Sequence, residues 1–149
     1  MTFELLAGGC NLNTLTLQPP PAGGPGNGVV MPFGVVDFTL IGCTENTARV
    51  RTTYSSSVQA MQFWKYVNSS WIRVPDATIA GNTVTFDILD NGPYDGDSRL
   101  HYIADPGGPG YVPNANDPQS IPTLSEWGTI ILSSLLGLLT LGAIRRRNG

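Results

Sequence analysis

Five oxygen-bearing side chains cluster in a stretch whose glycines and prolines are typical of a turn. The cluster consists of Asp90, Asn91, Asp95, Asp97 and, slightly further along the chain, Asp105. Carboxylate and amide oxygens are the ligands that calcium prefers. Their spacing nevertheless departs from that of an EF-hand loop. The sequence therefore predicts solvated turn carboxylates, with a calcium site as the alternative and no other cofactor.

The only histidine of the chain, His101, is the one imidazole available as a general base. Neither a GxSxG motif nor a metal motif containing histidine accompanies it. A catalytic triad would therefore depend on this single residue as its base. We expect His101 to lie on the surface of a strand, and we expect the protein not to be an enzyme.

Three aromatic side chains, Trp64, Tyr66 and Trp71, lie close together in the sequence. Aromatic rings on a sheet can form a face that binds sugars, but packing across neighbouring strands is more common. We expect cross-strand packing. A face that binds a surface glycan or a protein ligand is the alternative.

The C-terminal stretch 121–149 has three parts in a fixed order. A polar heptapeptide, 121–127, precedes an uncharged apolar segment, 128–144. A basic run then follows, which consists of Arg145, Arg146 and Arg147. The 17 apolar residues would span about 26 Å as a helix, against a hydrocarbon core of about 30 Å. With Trp127 at one interface and the arginines as the cytoplasmic stop, the sequence predicts one transmembrane helix.

The heptapeptide has the conformational properties of a processing site. Pro122 fixes its own φ and favours an extended conformation at Ile121, and an extended segment suits a protease cleft. Ser125 and Glu126 are typical of a helix N-terminus, where a hydroxyl caps the first turn and an acidic group complements the helix dipole. The two interpretations are compatible.

Together, these three parts resemble the IPTL-CTERM protein-sorting tail of Gram-negative bacteria, a relative of PEP-CTERM. The sorting motif is 121–128, and the residues that fall on the family's signature positions are Ile121, Pro122, Thr123, Leu124, Trp127 and Gly128. It implies that an exosortase-type enzyme recognises the tail and removes it. The implied precursor lies in the inner membrane with its body in the periplasm, and the mature protein reaches the cell surface or the extracellular space. A permanent single-pass anchor is the alternative.

Upstream of the tail, short runs of alternating apolar and polar residues predict seven strands separated by turns. The runs are 10–17, 35–41, 48–54, 61–67, 71–74, 83–89 and 98–104, and a polar linker follows at 111–120. Seven short strands within about 100 residues predict an all-β fold, an immunoglobulin-like two-sheet β-sandwich. The strand order stays open.

The body of the chain, 10–110, resembles the choice-of-anchor U domain. The similar segments are 31–38, 42–43, 63–66, 79–86 and 105–109. The turn after Leu89 departs from the family pattern at Pro93 and Tyr94. The resemblance implies a β-rich extracellular module that is joined to one of several C-terminal anchors, with no catalytic residues.

The charge balance argues against a nucleic-acid partner. Five basic residues remain against eleven acidic ones once the three tail arginines are set aside, and binding to phosphates requires a basic patch. The N-terminal segment 1–9 lacks the basic and apolar regions of a signal peptide. We therefore expect that the chain is the C-terminal part of a longer surface protein or that its true start lies upstream.

Cys10 and Cys43 are the only two cysteines. Export places them in an oxidising compartment, where an even cysteine count in a small domain usually means pairing. Each flanks a predicted strand, so a bond would join neighbouring strand ends across the proline-rich loop 18–28. The sequence predicts this disulfide, with Cα atoms about 4.4 to 6.8 Å apart. Two separate thiols are the alternative.

Overall fold

The computed structural model describes residues 1–113, which form nine β-strands and one short 3-10 turn at Pro21–Gly23. The strands are β1 (Thr2–Ala7), β2 (Asn11–Gln18), β3 (Val35–Ile41), β4 (Thr47–Thr53), β5 (Gln62–Val67), β6 (Ser70–Arg73), β7 (Thr78–Ala80), β8 (Thr83–Leu89) and β9 (Tyr102–Gly110).

The strands form two antiparallel sheets, one in the order β1-β4-β8-β7 and the other in the order β2-β3-β9-β5-β6. Successive side chains of a strand point to opposite faces of the sheet. Apolar residues occupy every second position, so their side chains fill the space between the two sheets. The rings of Phe63 on β5 and Phe86 on β8 stack with centroids 4.5 Å apart. Phe3 on β1 likewise meets Phe38 on β3 at 4.7 Å. Side chains from the two sheets thus share one core.

The two sheets agree with the predicted sandwich, but the strand order differs from the immunoglobulin arrangement. In that fold, the strand that follows F in the chain lies beside it in the sheet. Immunoglobulin strands are named A to G in chain order. By position in the two sheets, β4, β8 and β7 correspond to strands B, E and D, and β5 and β9 correspond to strands C and F. The other side of β9 is occupied by β3, which precedes all of these strands in sequence.

The predicted fold class also contained one transmembrane helix, and that part requires correction. Between Met1 and Pro113 no helix is long and apolar enough to cross a membrane. The only helical element there is the 3-10 turn. The predicted helix at 128–144 lies outside the described residues. The described part of the chain is therefore all-β.

Two strands, β1 and β7, were not predicted from the sequence. β1 pairs with β4 over Thr2 to Ala7, so the sandwich begins upstream of Cys10 and includes most of the segment 1–9 that was set apart from it. β7 is only three residues long and pairs with the start of β8. Residues 1–113 thus form nine strands, where about seven were expected.

The last strand is displaced from its predicted position at 98–104. β9 runs from Tyr102 to Gly110 and contains Pro106 and Pro109, which cannot donate a ladder hydrogen bond. β3 pairs with β9 only as far as Gly107, and β5 pairs with it only from Gly107 onward. Each proline therefore lies where one of the two neighbouring strands is not paired, and the sheet tolerates both.

Candidate functional site

A lysine and an aspartate face each other in the interior of the sandwich. Lys65 on β5 and Asp105 on β9 both have completely buried side chains, and Lys65 Nζ lies 2.9 Å from Asp105 Oδ2. The contact lacks hydrogen-bond geometry. Among the described residues, neither Nζ nor the two carboxylate oxygens have a hydrogen-bond partner.

Aromatic rings surround the lysine end of this pair. Nζ lies 5.0 Å from the centroid of Phe86 and 5.7 Å from that of Tyr94. Burial lowers the pKa of Lys65, and the attraction of Asp105 opposes this only in part. Burial also raises the pKa of Asp105 to about 6, against the opposing effect of Lys65. The site therefore disfavours both charges, since a low-dielectric interior penalises the ionised forms.

The predicted calcium residues make other contacts. Asp95 is buried and accepts backbone N–H groups from Asn91 at 2.9 Å, Asp97 at 2.9 Å and Ala104 at 3.1 Å. Asp90 accepts the N–H of His101 at 2.7 Å.

Asp97 pairs with Arg99, whose hydrogen bonds lower the pKa of Asp97 to about 2. Asp105 belongs to the interior pair and is separate from this turn. Within residues 1–113, no three His, Cys, Asp or Glu side chains are arranged to hold a metal ion. The carboxylates of the turn hold the loop before β9 in shape.

His101 lies in that loop and not on a strand as predicted. Its φ is 66°, it is exposed, and β9 begins at the next residue. Its carbonyl oxygen accepts the N–H of Cys43 at 3.3 Å. The histidine thus contributes backbone contacts to the loop.

The three aromatic residues lie on the outer face of the five-stranded sheet and are half-buried. Tyr66 and Trp71 are opposite each other on β5 and β6, with ring centroids 5.2 Å apart. Trp71 Nε1 donates to the carbonyl oxygen of Pro21 at 3.3 Å, so the proline-rich loop touches this face. Trp64 Nε1 has no hydrogen-bond partner within the described part of the chain.

The predicted disulfide is confirmed. Cys10 and Cys43 are bonded, with Cα atoms 3.9 Å apart, slightly closer than the expected range. Cys10 lies between β1 and β2, and Cys43 lies between β3 and β4. Because β1 and β4 belong to one sheet and β2 and β3 to the other, the bond joins two connections that pass between the sheets.

The buried pair was not predicted from the sequence. Lys65 was considered only as part of segment 63–66 of the choice-of-anchor U resemblance. Asp105 was considered only as a calcium ligand and as part of segment 105–109 of the same resemblance. A signal was present, since Phe63, Lys65 and Val67 share one face of an alternating strand. A lysine on the apolar face of such a strand points to a buried partner.

The sorting motif 121–128 and the arginines 145–147 lie outside the described residues. Comparisons with curated proteins and with solved structures gave no significant match, and nothing in the comparisons supports the resemblance of the body to the choice-of-anchor U domain. One family model does match. Residues 119–147 match the IPTL-CTERM motif, so the chain carries a C-terminal sorting signal of the type that marks surface proteins.

Proposed function

We propose that this protein is a non-enzymatic extracellular module of a bacterial surface protein whose C-terminal signal is recognised and removed by an exosortase-type enzyme. The observation that carries the proposal is the match of residues 119–147 to the IPTL-CTERM motif. Within the heptapeptide, Pro122 favours an extended conformation at Ile121, and an extended segment suits the cleft of a processing enzyme.

The disulfide supports export. Disulfides persist in oxidising compartments such as the bacterial periplasm and the cell surface. The Cys10–Cys43 bond therefore fits a route through the periplasm to the outside. The all-β body fits the general role of an extracellular module. The resemblance to the choice-of-anchor U domain is part of this proposal and rests only on segments 31–38, 42–43, 63–66, 79–86 and 105–109.

The processing step is tested in the native host by the intact mass of the surface-exposed protein. We expect the wild-type protein to lack the residues that follow the motif. A variant with Pro122→Ala and Trp127→Ala should keep the complete C-terminus and accumulate as precursor, because the motif no longer presents the recognised residues.

Pro118→Ala is the matched control, because it removes a proline just outside the matched residues 119–147. This variant should be processed like the wild type. Normal maturation of the double variant, or a wild-type surface protein that still ends at Gly149, would contradict the proposal.

A glycan-binding sandwich is the second candidate, favoured by the half-buried aromatic face of Trp64, Tyr66 and Trp71. The contact of Trp71 with Pro21 covers part of this face, which weakens the candidate. A glycan array separates the two. We expect no binding above background for the wild type, whereas a signal that disappears in both Trp64→Ala and Trp71→Ala would favour the glycan-binding function.

A further inference from the structure

Lys65 is the only lysine of the chain, and it is completely buried. Lysine is rarely buried to this extent unless it is paired. A buried ion pair is itself a weak source of stability, because apolar residues of the same volume often serve as well or better. The presence of a lysine at this position therefore calls for a chemical explanation.

The geometry of the two strands brings Lys65 and Asp105 together. Lys65 is opposite Gly107, so Asp105 is its diagonal neighbour on the same face of the sheet. A Cβ at Gly107 would lie only 3.3 Å from Lys65 Cγ. The missing side chain of Gly107 thus gives the lysine the room to reach across β9 to the carboxyl group.

The pair is also shielded from water. Phe86 and Tyr94 flank Nζ, and the side chains of Lys65 and Asp105 are fully buried. Among the described residues no hydrogen bond satisfies Nζ or either carboxylate oxygen. Reacting groups held at about 3 to 3.5 Å in a dry site have a large advantage over the same groups in solution. Nζ lies 2.9 Å from Oδ2, and Oδ2 is bonded to Cγ, the atom that the amine would attack, so the two reacting groups are held in contact.

We propose that Lys65 and Asp105 condense to form an amide bond between Nζ and Cγ, which cross-links β5 to β9. The proton balance is complete within the pair. The ammonium group first gives a proton to the carboxylate, which leaves a neutral amine and a neutral carboxylic acid. Nζ then adds to Cγ, a proton passes from Nζ to the departing hydroxyl, and one water leaves. No oxidant or other reactant is needed.

The site favours the neutral forms that this reaction requires. Burial lowers the pKa of Lys65 and raises that of Asp105. The nearby carboxylates of Asp95 and Asp37 raise the pKa of Asp105 further. An uncharged amine is the nucleophile, and a carboxylic acid reacts where a carboxylate does not. Condensation removes both ionisable groups from the interior, so the fold itself favours the product.

The rings beside Nζ also line a surface groove. A groove lined by residues that include Val74, Phe86 and Tyr94 reaches the surface beside β8. Phe86 and Tyr94 are the same rings that cover Nζ. The released water is therefore expected to leave past these two rings.

The test is the intact mass of the folded full chain after reduction and denaturation. We expect a mass lower than that of the sequence by one water. We also expect the ε-amine of Lys65 to stay unreactive towards an amine reagent in denaturant. Trypsin should leave the bond after Lys65 uncut, so the peptide 52–73 should be recovered joined to the peptide that begins at Leu100.

Three variants serve as controls. Lys65→Arg keeps the positive charge but removes the nucleophilic amine, so it should show the full mass. Asp105→Asn should lose one ammonia in place of one water. Arg49→Lys places a lysine beside Asp87, its exposed partner at 2.7 Å. This variant should still lose only one water, because proximity in solvent is insufficient.

The mass and the Lys65 reactivity of the wild-type protein are sufficient to test the proposal, so the test does not depend on whether a variant folds. A folded wild-type chain, with its disulfide formed, that keeps the full sequence mass and a reactive Lys65 would overturn it, and the pair would then be an ion pair only. The result is independent of processing at the C-terminus, because recovery of peptide 52–73 joined to the peptide that begins at Leu100 detects the bond directly.

Discussion

Asp105 and Asp97 carry the same carboxyl group but meet opposite environments. The Asp97 carboxylate accepts hydrogen bonds from exposed Arg99, which lower its pKa to about 2. Burial raises the pKa of Asp105 to about 6, even though Lys65 opposes the shift. At Asp105 the cost of desolvation thus exceeds the attraction of a neighbouring cation. The lysine offsets only part of the cost of burying this carboxyl group.

Removal of the lysine should expose this cost. Lys65→Met leaves Asp105 buried without a countercharge. At neutral pH its free energy of unfolding should be about 3 to 5 kcal/mol lower than that of a variant carrying both Lys65→Met and Asp105→Asn, which buries no charge. The loss should shrink as the pH falls. Below the ordinary carboxyl pKa, Asp105 is protonated in both the folded and the unfolded chain. Between that value and the raised pKa of the folded chain, only the folded chain keeps the proton, so stability falls as the pH rises. Lys65 lowers the pKa of Asp105 in the wild type, so the pKa is raised further in the variant, and stability should fall as the pH rises from about 4 to beyond 6.

Urea unfolding of the full chain at several pH values, with the disulfide intact, measures this effect. The matched control carries both Lys65→Met and Asp105→Asn, which removes both charges and with them the pH dependence of the site. Parallel stability curves for the single and double variants would contradict the prediction. Neither protein can form the amide bond proposed above, because both lack the lysine amine, so the comparison is independent of it.

At the scale of the element, the agreement between sequence and structure depends on how locally each strand is specified. β3 and β8 were predicted at their observed bounds, since Val36, Phe38 and Leu40 or Val84, Phe86 and Ile88 alternate without interruption. Local alternation alone determines strands of this kind. The two-sheet sandwich followed from several such strands separated by turns.

The missed elements depend on partners that are remote in sequence. β7 is too short to show a period, and it forms because β8 provides an edge. β9 has the composition of a turn over Asp105 to Gly110, and it is a strand only because β3 and β5 pair with different parts of it. The buried pair depends on the same arrangement, so its geometry could not be predicted before the pairing of β5 with β9 was known.

At the scale of the molecule, the two sheets are joined by core packing and by the disulfide. The bond connects the crossing between β1 and β2 to the crossing between β3 and β4. It closes a loop that contains β2, the proline-rich segment and β3. β2 is an edge strand of its sheet, with Leu12, Leu15 and Leu17 exposed. The bond therefore restrains the part of the sandwich that the core holds least.

Loss of the disulfide should consequently destabilise the whole sandwich. For two cysteines 33 positions apart, the chain-entropy relation predicts a loss of roughly 3 to 4 kcal/mol in the free energy of unfolding. Replacement of both residues, Cys10→Ala and Cys43→Ala, should produce this loss, measured by urea unfolding of the full chain. The wild type under reducing conditions should unfold at nearly the same urea concentration as the double variant.

The disulfide and the proposed amide bond can be separated by combining their variants. The disulfide closes residues 10–43 and the amide would close residues 65–105, so the two loops share no part of the chain. Restraints on separate loops should act independently, and their effects on the free energy of unfolding should add within about 0.5 kcal/mol. The cysteine variant combined with Lys65→Arg should therefore lose the sum of the two single losses. Unchanged stability of the cysteine variant itself would contradict the role assigned to the bond.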